Sequence, residues 1–140
     1  MFRRILVAYD DSPGARTALE RSVGLARLYG SELIAVAVEA HLPYDEEPAE
    51  GTAGNLAIEA RACHRWLADA RRYAAGHGVA FDGETHAGHP AQEIVRAAER
   101  HRADLIVVGH SGRSSVWGRF LGSTAEKVSR HSPCSVLIVR

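Results

Sequence analysis

Phe2–Tyr9 is an apolar, β-branched run without polar alternation. A strand of that kind needs cover on both faces, so it belongs inside a layered parallel sheet rather than on a half-exposed hairpin. Glu32–Glu39 repeats the pattern, Val79–His86 alternates less cleanly, and Asp104–Gly109 and Cys134–Val139 complete a set of five predicted strands. Helical spacing separates them. Ser12-Pro13 supplies an N-cap with proline at the first helical position, and Ala15, Ala18, Leu19, Ser22, Val23 and Ala26 follow on one face until Gly30. Leu56, Ala60, Cys63, Leu67, Ala70 and Ala74 mark a second helix that stops near Gly76-His77-Gly78. Gly88-His89-Pro90 opens a third helix bearing Ile94, Ala97 and Ala98, and Gly122–His131 holds a short last one. The order β-α-β-α-β-α-β-loop-α-β demands right-handed crossovers and a three-layer, doubly wound α/β fold with helices on both faces. At 140 residues, one domain spanning 1–140 is expected.

Charge removes several function classes. Seventeen Lys+Arg balance seventeen Asp+Glu, so no global field draws in nucleic acid or an anionic membrane, and neither is expected as a partner. The longest apolar stretches, such as Leu33–Val38 and Leu105–Val108, are far short of the roughly 20 residues that span a bilayer, and a cytoplasmic protein without a signal peptide is expected. Cys63 and Cys134 form no Cys-x-x-Cys pair and read as small core residues. His86-x2-His89 is the tightest histidine pair, but it lacks a third ligand at suitable spacing, so no protein-only metal site is expected. Gly109-His110-Ser111-Gly112 is not the G-x-S-x-G of a serine hydrolase, and the first strand-to-helix turn is too acidic for a flavin phosphate loop.

In an open α/β sheet, ligands bind beyond the carboxyl ends of the strands where strand order reverses. Three such places carry chemistry: Ala8-Tyr9-Asp10-Asp11-Ser12, Val38-Glu39, and Gly109-His110-Ser111-Gly112-Arg113 leading on to Gly122-Ser123-Thr124. Gly109 and Gly112 allow positive φ and bare backbone N–H groups, while Gly122-Ser123-Thr124 offers N–H donors and two hydroxyls at a helix start. Two glycine turns flanking a nine-residue excursion form an anion cradle, with Arg113 as a charged partner. The competing reading is purely structural: glycines that end a strand and a serine that caps a helix. Neither G-x-x-x-x-G-K-[ST] nor G-x-G-x-x-G is present, which removes the P-loop and dinucleotide readings.

Gly109-x2-Gly112-x9-Gly122-Ser123, with Asp10 closing the first strand and the Gly88-His89-Pro90 turn, resembles the nucleotide-binding branch of the universal stress protein family over Arg3 to Arg140. That resemblance implies five parallel strands in the order 3-2-1-4-5 and an ATP site between the ends of strands one and four. It implies that the backbone at Ala8 and Val38 lines the adenine pocket and that Asp10 meets the ribose or helps organise a metal. Gly109, Gly112 and Arg113 would lie along the phosphates, Gly122, Ser123 and Thr124 would close the site, and Mg²⁺ would be held through the phosphates. It also implies a homodimer through the Cys134–Val139 edge strand. One departure is Ala125, where many members carry a second hydroxyl after Thr124.

Hydrolysis needs a positioned water and cations on the leaving phosphates. The chain shows a cradle but no catalytic lysine, since its only lysine, Lys127, lies inside the last helix. A stress-response regulatory module with at most slow turnover is therefore expected, its nucleotide state changing the 110–121 loop and a partner protein's surface. A cyclic AMP-binding member and a dimeric interaction module without nucleotide are the alternatives. Trp117 and Phe120 fold over the nucleotide, meet a partner, or pack as a lid, and the acidic, proline-bearing stretch 41–48 is expected to be a loop.

Overall fold

The computed structural model describes residues 1–40, 52–111 and 121–140. In them the chain runs β1 (Arg4–Ala8), α1 (Pro13–Tyr29), β2 (Glu32–Ala40), α2 (Thr52–Gly76), β3 (Phe81–Gly88), α3 (Pro90–His101), β4 (Leu105–Gly109), α4 (Ser123–His131) and β5 (Ser135–Val139). Every strand pairing is parallel, and the order is β3-β2-β1-β4-β5. β1 sits in the middle, in register with β2 from Arg4↔Glu32 to Ala8↔Val36 and with β4 from Ile5↔Leu105 to Val7↔Val107. The chain leaves β1 toward β2 on one side and returns to β4 on the other. The strand order therefore reverses between β1 and β4, which opens a crevice at their carboxyl ends.

Successive strand residues face opposite sides, so the absence of polar alternation yields two cores. Ile5, Val7, Leu33, Ala35, Leu105 and Val107 join Ala18, Leu19 and Val23 of α1 and Cys63, Leu67 and Ala70 of α2. On the other face Leu6, Ile34, Val36, Ile106 and Val108 join Ile94 and Ala97 of α3 and Val128 of α4. Ile5, Leu6 and Val7 lie fully inside, which is what the three apolar residues in a row required.

The caps that mark α1 in the sequence form as expected: the Ser12 side chain accepts from the Ala15 N–H, and Gly30, at φ 66°, closes the helix with its N–H on the Ala26 carbonyl. α2 begins at Thr52, earlier than its apolar periodicity indicates. β3 starts two residues later than the Val79 expected, because the Val79 N–H turns back to the Ala74 carbonyl and finishes the C-terminus of α2. Cys63 is buried, whereas Cys134 is only half-buried, its thiol pKa raised by burial; neither forms a disulfide. Among the described residues no helix is long and apolar enough to cross a membrane.

Candidate functional site

Beyond β1 the backbone makes a tight turn before α1. Asp10 accepts the Ser12 N–H on Oδ1 at 3.0 Å, a local turn of the kind aspartate favours. Asp11 adopts φ 59°, left-handed for a residue with a side chain. Its carboxylate receives the Tyr9 hydroxyl at 3.1 Å and both arms of the Arg16 guanidinium at 2.9 and 3.1 Å. Burial, reinforced by the negative charge of Asp11, pushes the Tyr9 hydroxyl up to about 12, while Arg16 is held still more firmly protonated by its hydrogen bonds to Asp11. The Tyr9–Asp11–Arg16 clamp fixes the turn that carries Asp10.

The end of β4 lies directly against that turn. A Cβ on Gly109 would stand 2.8 Å from the Gly14 carbonyl carbon, and one on Gly14 would stand 2.6 Å from the Ser111 carbonyl oxygen. Gly109 does not take a positive φ, contrary to the left-handed turn its sequence context suggests. It is glycine because the first turn of α1 crosses it. The His110 N–H reaches the Val139 carbonyl at the end of β5, and the His110 carbonyl accepts the Gly122 N–H at 2.8 Å, so one residue ties β4, β5 and the start of α4. Gly122 is the N-cap of α4 and its carbonyl takes the Glu126 N–H. The earlier N–H groups of Ser123, Thr124 and Ala125 are those a helix start leaves without intrahelical partners.

Sequence-predicted positions fall at one end of the sheet. Ala8 and Val38 lie on the α3 face of neighbouring strands, packed at the edge of the second core. Asp10, Gly109, Gly122, Ser123 and Thr124 cluster around the β1 and β4 ends, Ser123 exposed and Thr124 partly covered. Gly112 and Arg113 lie outside the described residues, as do Trp117, Phe120 and the 41–48 stretch. Sequence reading passed over Gly14, whose one signal is a glycine directly after Pro13 in a first helical turn, and over the Asp11 clamp, which has no local signature. Among the described residues no three His, Cys, Asp or Glu side chains form a group able to hold a metal. The arrangement offers an anion-binding helix start, a carboxylate and a small-residue floor.

Comparison with known proteins returns a consistent picture. A family model described as "Universal stress protein family" matches residues 1–140. A universal stress protein of Thermus aquaticus is 35% identical over 146 residues, covering 100% of both chains. A solved universal stress protein in complex with cAMP superposes with a TM-score of 0.76 at 27% identity, covering 99% of this chain and 97% of its own. The universal stress protein of Archaeoglobus fulgidus in complex with dAMP gives 0.71 at 25% identity, covering 99% and 98%.

Proposed function

Because this chain belongs to the universal stress protein family, we propose that it is a cytoplasmic ATP-binding regulatory module of the stress response, with at most slow hydrolysis. The observation that carries the reading is the meeting of the β1 end, the β4 end and the N-terminus of α4 at the strand-order reversal. Adenine would lie against the backbone at Ala8 and Val38 and the ribose at Asp10. The phosphates would run along Gly109, Gly112 and Arg113 to the Ser123 and Thr124 N–H groups beside Gly122, with Mg²⁺ carried on the phosphates. A nucleotide fits the residues present: the floor is glycine and alanine, the helix start attracts anions, and two structural relatives are complexes with adenine nucleotides. When bound, Mg²⁺ would neutralise phosphate charge. What the chain contributes is position, through a turn held rigid by the Asp11 clamp.

A homodimer through β5 is part of the same reading. β5 ends the sheet, and Leu137 is 38% exposed on it, a free apolar edge of the sort natural sheets cover. Pairing with β5 of a second copy covers it.

Calorimetric titration of nucleotide-stripped protein with ATP, ADP and cAMP, with and without Mg²⁺, tests the site. Micromolar ATP binding is expected, weakened at least about tenfold by Gly112→Val and by Asp10→Asn, which keeps the oxygen that accepts the Ser12 N–H. Absence of heat with all three nucleotides overturns the proposal.

A further inference from the structure

The opposite pole of the sheet, where β1, β2 and β4 begin, holds a groove of ≈ 490 Å³. That volume lies in the range of small-molecule sites. Its floor is tied together by Asp104, whose two carboxylate oxygens accept the Arg3 and Arg4 N–H groups at 2.8 and 3.1 Å. Phe2 and Tyr29 meet edge to face at 5.7 Å and form an apolar wall. Charge is distributed unevenly around it. Glu32 is engaged by the Arg4 guanidinium at 3.2 Å, and Asp104 is engaged by backbone. Arg3 and Arg102, both exposed and both among the residues that line the groove, make no ion pair among the described residues.

Arg102 stands at φ 51° where α3 ends, a left-handed position that glycine would occupy without steric cost. The left-handed backbone does not need an arginine; a cation at this helix end suits the α3 dipole, and its place beside the groove also makes it available to an anion.

We propose that this groove binds a small molecule carrying a doubly charged oxyanion, held between Arg3 and Arg102, with an apolar body against Phe2 and Tyr29. Two guanidinium groups on different elements suit a phosphate monoester or a dicarboxylate, since each presents paired N–H donors to planar or tetrahedral oxygens. Glu32 is offset by the Arg4 guanidinium, whereas Asp104 keeps its charge while its oxygens are taken up by backbone N–H groups, so the lining carries three arginines against two carboxylates. The site is independent of the nucleotide reading: it lies at the far ends of the same strands.

The test is an amide-resolved NMR titration of the full-length protein with phenyl phosphate and, separately, succinate, at physiological ionic strength. Saturable shifts are expected at Arg3, Gly30 and Arg102, with the amides of Ala8, Asp10 and Gly109 unmoved. Affinity should fall about tenfold or more in Arg3→Gln and in Arg102→Gly. The glycine variant keeps the fold, because it suits the left-handed backbone, and a thermal melt checks this. Tighter binding of one probe identifies the anion class. Shifts that never saturate with either probe, or that saturate equally in wild type and both variants, overturn the proposal.

Discussion

Gly14 and Gly24 both lie in α1, yet an added methyl meets opposite surroundings. At Gly14 it would press on the Ser111 carbonyl, while at Gly24 nothing lies within 4 Å. Gly14→Ala should therefore cost about 1–3 kcal/mol by forcing α1 off the β4 end. Gly24→Ala should stabilise the helix by about 0.5–1 kcal/mol. Urea unfolding of the two variants measures both, and equal effects would show that the close approach is absent. Tyr9 carries a second prediction at this scale. Its hydroxyl keeps its proton to about 12 in the folded protein, whereas an unfolded tyrosine loses it near 10. The folded state thus holds the proton longer, and its advantage from this group, complete below pH 10, declines between 10 and 12. Ultraviolet titration should show one late phenolate step that Tyr9→Phe abolishes.

At the scale of elements, β3 is joined to α3 by Glu84, which accepts from His86 beside it and from Arg100 and His101 on the helix, Arg100 at 3.0 Å. Burial pushes the Glu84 pKa upward, but the donors from His86, His101 and Arg100 outweigh it and hold the carboxyl below the usual glutamate range. A lowered folded pKa gives stability that is complete above the unfolded value and lost as pH falls through the folded one. The stability gap between wild type and Glu84→Gln should accordingly be present above the ordinary glutamate range and close as pH falls below it; a gap that persists undiminished below that range would contradict this. The same strand shows where sequence reading reaches its limit. α1 was legible to the residue, because Ser12, Pro13 and Gly30 are local stereochemical signals. β3 begins two residues later than its apolar pattern suggests, because the Val79 side chain packs in the same core as the strands while its N–H closes α2, and burial alone does not tell the two apart. Gly109 was legible as a special position for the wrong reason. Its neighbour Gly14 is remote in sequence, and a contact between distant segments leaves no trace in either one's pattern.

For the whole molecule, the order 3-2-1-4-5 makes β5 a sheet edge with Leu137 partly open to solvent. Leu137→Asp sets a charge on that edge and should convert the expected dimer to a 15.1 kDa species in sedimentation equilibrium. A wild type already of that mass would remove the dimer from the reading. The central place of β1 has a further consequence, in time. Ile5 pairs with Leu105, so at ribosomal rates of roughly 5–20 residues per second one side of β1 waits about 5–20 s for the strand that covers it to be made. The first strand synthesised thus keeps one edge unpaired until the fourth is made. Its apolar flank is open to other chains throughout that interval, and a nascent protein of this design leans on its helices, or on a chaperone, until the hundredth residue has passed.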